Sequence, residues 1–324
     1  MPVNVFGNPS QSPYLSGVTV FPVKSLDGLN LVKANVLPCG ALANDRRWRL
    51  VDSEGRVVNA KRTARFDRVR AEFVLKDDDV EKESLSSGGN HVTLWVDPDD
   101  GQQKCVSLGR DTFSLVPGKE GPCEWLSEAL EENVFLQERV DGGFPDDRDA
   151  PGLTLVSTET LEELSSWFDW DEQEVRHRLR MNLEFTGGFT NTGRDASDTR
   201  VCLQDPFWED QLASPQRSML RRPGRDEPFD PYADQPAPEP CSFVIGSIPF
   251  QASGICRRCV VPSRGRGLTS TEFIDIFEAR RRKTLRNDVD ATHWQNFYRL
   301  GVNTVRRDHA TLEEIQLGMS LHIV

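Results

Sequence analysis

The chain has 324 residues, 37% hydrophobic and 28% charged, a globular composition long enough for two domains or one large one. Its formal net charge of -12 argues against a general nucleic-acid binder, because phosphate binding needs a basic surface. No run of about 18 apolar residues marks a transmembrane helix, and Met1 to Gly17 lacks the basic start and apolar core of a signal peptide. The seven cysteines, Cys39, Cys105, Cys123, Cys202, Cys241, Cys256 and Cys259, are odd in number and widely spread. They read as reduced thiols in a cytoplasmic protein.

The first elements are strands. Val18 to Val23 is one and Leu31 to Leu37 another. Arg47–Val51 and Arg56–Val58 flank Asp52–Gly55 as a hairpin with a glycine-containing loop. Further strands are predicted at Arg70–Leu75, His91–Val96, Lys104–Leu108 and Thr112–Val116. Short strands at this spacing suggest a small barrel or sandwich. A helix follows over Cys123–Glu132, with Trp125, Leu126, Ala129 and Leu130 on one face. Val134–Val140 reads as a strand, and Asp141–Gly152 as a linker or an active-site loop.

The second half restarts with a strand at Leu153–Val156, and Ser157 or Thr158 caps a helix carrying Leu161, Leu164 and Phe168. Asp171–Arg178 is a second short helix and Met181–Phe185 a strand. Ser214–Pro240 holds seven of the twenty prolines and reads as a surface insertion. Ser242–Gly246 is a strand, Thr271–Leu285 a helix ending in a basic run, and Ser320–Val324 a closing strand. The run Arg280–Lys283 reads as a solvated helix face, with docking of an acidic redox partner as the sharper alternative.

Cys256-Arg257-Arg258-Cys259 carries the most chemistry. A thioredoxin-type pair opens a helix, whose N-terminus lowers the thiol pKa, but Pro262 and Gly265 exclude a helix directly after Cys259. Val260–Pro262 reads instead as a strand ending in a turn. A zinc ribbon needs a second CxxC or a histidine pair at ligand spacing, and the sequence has neither. The residues leave either a single-thiolate metal site or no site.

Five separated segments then fit one pattern: Pro22–Ser25, Asp45–Asp52, Leu155–Leu161, Arg178–Leu183 and Cys256–Ser263. In these the chain resembles MOSC-domain proteins of the branch with an N-terminal β-barrel domain. That branch includes the mitochondrial amidoxime-reducing component and bacterial N-hydroxylamine-reducing relatives. The resemblance implies a mixed, β-rich α+β chain. Its parts would be an N-terminal β-barrel domain over 1–145 and a MOSC β-barrel domain over 146–324, with peripheral helices and the surface insertion at 214–240. It implies a molybdenum cofactor (Mo-pterin) with Cys259 as the metal ligand. Lys24, Ser25 and Arg46 would hold the pterin phosphate, and Arg180, Asn182 and Arg258 would bind the cofactor from the second domain. Asp149 would be an acidic residue near the metal, able to relay a proton. The chain departs from the pattern at Met181, where the family commonly has Pro, and at Pro262-Ser263, where two threonines often follow the cysteine.

These residue types suit that chemistry. A soft thiolate suits such a metal better than imidazole or carboxylate, and Arg257 and Arg258 would favour the thiolate form of Cys259. Arginine forks and a lysine point charge suit a phosphate. The implied activity is reduction of small N-hydroxylated compounds by cleavage of the N–O bond. With no flavin, haem or iron–sulfur motif in the sequence, the electrons would come from a separate redox protein of cytochrome b5, flavin or ferredoxin type. The alternative is a non-catalytic molybdenum cofactor carrier or sulfur-transfer module, in which Cys256 could resolve a persulfide on Cys259.

Overall fold

A computed structural model describes residues 12–76, 89–97, 108–118, 120–147, 149–187, 205–213, 242–264, 267–285, 289, 291–292, 294–307 and 312–324. The strand expected at Lys104–Leu108, apart from Leu108, and the insertion at 214–240 lie outside these residues, as do Cys105, Cys202 and Cys241.

The strands of the first half are Tyr14–Val20 (β1), Leu29–Leu31 (β2), Lys33–Val36 (β3), Trp48–Val51 (β4), Val57–Val58 (β5), Val69–Val74 (β6), His91–Val96 (β7) and Asp111–Ser114 (β8). Helix Cys123–Leu130 (α1) and strand Phe135–Glu138 (β9) complete it. The second half runs Thr154–Ser157 (β10), helices Thr158–Phe168 (α2) and Glu172–Leu179 (α3), Leu183–Thr186 (β11) and the short helix Asp210–Ala213 (α4). It continues with Ser242–Ile245 (β12), Ile248–Arg257 (β13), helix Ser270–Thr284 (α5), Arg299–Arg306 (β14), Glu313–Gln316 (β15) and Leu321–Ile323 (β16). The helix starts follow capping rules. Ser157 accepts from the Thr160 N–H, Asp171 from the Glu174 N–H, and Thr269 forms a capping box with Glu272.

The longest sheet has eight strands in the order β16-β12-β13-β14-β10-β11-β1-β2. The first half contributes β5-β4-β9 and β6-β7-β8, and β3 pairs with β15. The fold is therefore mixed and β-rich, but none of these sheets closes into a barrel. The long sheet bends until Tyr14 meets Ser320 in one isolated bridge. The tight turn at Gly318 then leaves contact through single backbone bonds, such as Leu15 N–H to the Met319 carbonyl, in place of a ladder. Strand pairing also crosses position 145, because β1 and β2 sit in the sheet of the second half and β3 pairs with β15.

Three apolar clusters hold these layers. One lies against the long sheet, with Leu155, Phe185, Phe243, Phe250 and Val302. One fills the first half, with Trp48, Leu50, Phe73, Leu94 and Leu126. The third gathers Leu164, Trp167, Phe273 and Phe277 from the helices and Phe207 from the turn before α4. Each such side chain stabilises the fold by about 1.5–3 kcal/mol relative to exposure. Arg281, expected on a solvated helix face, is fully buried, and a second local expectation fails. Val261–Ser263 is a turn of 3-10 helix, not a strand, because Pro262 has no N–H to give a ladder while its fixed φ suits a first helical position. The strand belongs upstream, where the ten-residue β13 carries Cys256 and Arg257 and is twice bulged against β14.

Candidate functional site

A cleft of about 340 Å³ opens between the turn preceding β4, the 141–152 loop, the end of α3 and the end of β13. Arg46 and Arg180 form its cationic wall. Both have left-handed backbones, with φ of 50° and 55°, a conformation uncommon for a side chain of this size and worth noting at a binding site. Each is held there by its surroundings. Arg180 ends α3, and its N–H returns to the Arg176 carbonyl. Arg46 donates its N–H to the Phe21 carbonyl and its carbonyl accepts from Phe144. Gly143 seals that turn, because a Cβ there would lie 2.4 Å from the Asp45 carbonyl oxygen and 2.7 Å from that of Arg46.

The two guanidiniums share one aromatic surface, at 5.2 Å and 4.3 Å from the Phe21 ring centroid. Arg46 is ion-paired with the buried Asp45 and lies 3.8 Å from Asp146, while Arg180 donates to the Leu26 carbonyl. Their charges are unequally compensated. Burial alone would lower the pKa of Arg46, but Asp45 and Asp146 outweigh it and the net direction is up. Arg180 is lowered to about 10 by burial and then by repulsion from Arg46. The cleft lining as a whole sets six cationic side chains against the three carboxylates of Asp45, Asp146 and Asp147.

Two thiols line the same cleft. Cys259 is half-buried and lines the cleft just beyond the end of β13. Cys256 also reaches the lining but is buried. Its thiol donates to Asn303 Oδ1 at 2.7 Å, and burial pushes its pKa up to about 12, so it stays protonated. Arg258 between them donates to the Leu179 carbonyl and reaches Met181 Sδ at 3.4 Å. Its Nε is buried with no acceptor among the described residues.

The remaining expected residues divide. Lys24 donates to the Phe144 and Pro145 carbonyls and pairs with Asp146 at 2.8 Å. All three ammonium protons are thereby engaged, and the residue tethers the 144–146 loop. Ser25 Oγ accepts from the Ala60 N–H and is not in the lining. Asn182 lines the cleft, but its amide is used in the sheet, accepting from Thr154 and donating to the Thr19 carbonyl. Asp149 is exposed and is not in the lining, which instead contains Asp146 and Asp147 from the same acidic loop. Burial would raise the pKa of Asp146, but Arg46 and then Lys24 hold it well below the ordinary carboxylate range.

Several residues of the site escaped the sequence reading: Phe21 supports the two guanidiniums, and Asn303 and Arg178 line the cleft. Phe21 immediately precedes the Pro22–Ser25 segment and shows no signal of its own. Asn303, on β14, links the Cys256 thiol to Asp147, the latter at 3.5 Å. Arg178 donates to the Pro262 carbonyl at 2.9 Å and to that of Arg264, fixing the turn after Cys259 onto α3. Only its position within the Arg178–Leu183 segment hinted at it.

The donor set suits a molybdenum–pterin. The cation-rich lining and the orphaned Arg258 Nε would receive an anionic, hydrogen-bonding group, and Cys259 offers a soft ligand in the same cleft. Among the described residues no cluster of three or more His, Cys, Asp or Glu could hold a metal alone, so a single thiolate would need ligands brought by the group itself. No helix among these residues is long and apolar enough to cross a membrane.

The comparisons with known proteins bear on the first half of this cleft. No curated protein matches the chain. Residues 12–133 match the family model of the MOSC N-terminal beta barrel domain, a span that includes Lys24, Ser25 and Arg46 and stops short of Arg180 and Cys259. The match supports a MOSC-domain protein, and MOSC domains are associated with molybdenum-cofactor sulfurase and oxidoreductase-type proteins.

Proposed function

We propose that the chain binds a molybdenum–pterin in this cleft and reduces small N-hydroxylated compounds, with electrons from a separate redox protein. The observation that carries the reading is the pair of buried, mutually repelling guanidiniums lining the same cleft as a half-exposed thiol. Arg46 and Arg180 would hold the phosphate, Arg258 would give its free Nε–H to the pterin, and Cys259 would ligate the metal. When bound, the cofactor would supply two-electron chemistry at that metal. The balanced reaction takes an N-hydroxy compound, two electrons and two protons to the reduced nitrogen compound and water.

The protein's own part is charge placement and proton supply. Asp147 lines the cleft and is hydrogen-bonded to Asn303, so the relay expected of Asp149 falls to Asp147 in this reading. Asp146 is committed to Arg46 and Lys24 and stays ionised. The arrangement favours a ligating thiol over sulfur transfer, because a resolving cysteine must become a thiolate. Cys256 is buried, hydrogen-bonded and held protonated.

Metal analysis of protein made in a host that synthesises the cofactor tests this. Near-stoichiometric molybdenum is expected in the wild type and in Cys256→Ser, and its loss in Cys259→Ser. Absence of both molybdenum and pterin from the wild type would overturn the reading. Cofactor bound without turnover of any amidoxime or hydroxylamine under an artificial reductant would support the carrier alternative instead.

A further inference from the structure

A strip of cations runs from the mouth of the cleft to the last turn of α5. Arg257 lines the cleft and is exposed. In the β13–β14 register it stands opposite Arg299, and like charges directly opposite on two strands are destabilising. Burial and then the Arg257 charge lower the pKa of Arg299. Arg299 lies over Trp294 at 5.2 Å, and Arg282 over Phe297 at 4.1 Å. The two rings meet edge to face at 5.5 Å, which makes the strip continuous. The Arg282 side chain is 56% exposed and meets Glu278 at 3.3 Å, and Lys283 beside it is exposed. Among the described residues Arg257 and Lys283 have no acidic partner. This concentration of unneutralised cations stands out on a chain of net charge -12.

We propose that this strip is the docking surface for an acidic electron-transfer protein, a role that rests on the reductase reading of the cleft. Reduction of an N–O bond needs two electrons from outside the substrate, and a donor docked over Arg257 is placed at the cleft that holds Cys259. An acidic partner supplies the counter-charge that Arg257 and Arg299 lack, and rim charges of this kind act chiefly on the association rate. The half-exposed Trp294 and Phe297 add an apolar surface between the charges.

The test uses the full, cofactor-loaded chain and the double variant Arg282→Glu/Lys283→Glu, whose two positions are exposed and outside the cleft. Reoxidation of reduced acidic carriers of the cytochrome b5, flavodoxin and ferredoxin types is followed by stopped flow, with an amidoxime as acceptor. At least one carrier is expected to be reoxidised, at a rate that falls with added salt and drops about tenfold or more in the double variant. Turnover driven by reduced methyl viologen is expected not to slow. Equal carrier rates in wild type and variant would overturn the strip's role, as would viologen turnover with no acidic carrier active. So would retention of the wild type, lost in the variant, on duplex DNA or anionic phosphatidylserine vesicles without carrier turnover. Absence of viologen turnover in the wild type would overturn the cleft reading and the strip's role with it.

Discussion

Two of the places where the molecule buries charge compensate it in opposite ways. Beneath α5, Arg281 is fully buried, stacked at 4.1 Å over Phe207 and ion-paired with the buried Asp210. The neighbouring Glu209 is also buried, accepting from the Ser157 and Thr160 hydroxyls. Two adjacent buried carboxyls are therefore set against one guanidinium, which pairs with Asp210. At the cleft the ratio runs the other way, with the lining side chains of Arg46, Lys61, Arg178, Arg180, Arg257 and Arg258 set against Asp45, Asp146 and Asp147. An excess buried carboxyl can be relieved by taking a proton. An excess buried guanidinium cannot lose its proton near neutral pH, so its relief must come from an anion. The first arrangement can relieve itself by protonation, whereas the second is an opening for a ligand.

The sharpest break of this contrast is Arg281→Leu. It leaves Asp210 buried without its cation, which should cost about 3–5 kcal/mol, measured by urea denaturation. The double variant Arg281→Leu/Asp210→Leu should recover most of that loss, since two apolar groups leave no uncompensated charge. A small loss in the single variant would show that the closed pair is not what holds α5 to α4.

Next in size is the pH dependence of the same island. Burial, then the adjacent Asp210, push the Glu209 carboxyl up from 4.5 to about 7. The folded state thus holds this proton more tightly than the unfolded chain. Its contribution to stability is full below about 4.5 and is lost as pH rises to about 7. Glu209→Gln keeps an oxygen acceptor for Ser157 and Thr160 without the charge. It should flatten that part of the stability–pH curve and stabilise the protein above pH 7 by on the order of 1–3 kcal/mol. Unchanged slopes in the two proteins would mean that Arg281 already neutralises both acids.

Much of the fold was legible in the sequence because it is locally encoded. The Asp52–Gly55 hairpin, the apolar face of α1 and a cap at Ser157 or Thr158 all came from nearest neighbours, and the structure has all three, with Ser157 as the cap. The joining of β1 and β2 to the second half, and of β3 to β15, was not legible, because such pairings lie far apart in sequence and show no local signal. The site divides in the same way. Cys259 and Arg46 could be picked from short segments. The left-handed backbones of Arg46 and Arg180 could not, since only tertiary contacts such as Gly143 against Asp45 enforce one of them. The sequence also could not show that the amide of Asn182 and the hydroxyl of Ser25 are used internally, because their partners Thr19, Thr154 and Ala60 are identified only by the fold.

The smallest stability change belongs to the cleft, and it separates a ligand site from a structural one. Arg180→Met keeps a flexible apolar stem against Phe21 and removes the repulsion from Arg46, at the expense of the bond to the Leu26 carbonyl. These effects oppose one another, and stability should change by less than about 1 kcal/mol. Anion binding should respond differently. In the wild type, inorganic phosphate should raise the melting temperature more than chloride of equal ionic strength does, because an anion bound only by the folded state adds to stability. In Arg180→Met that difference should vanish, and phosphate affinity should fall about tenfold or more as one fork of donors is lost. If Arg180→Met instead destabilised the protein as strongly as Arg281→Leu, with phosphate stabilisation intact, the cleft arginines would be a second closed structural island, and the reading of an anion seat between them would fail.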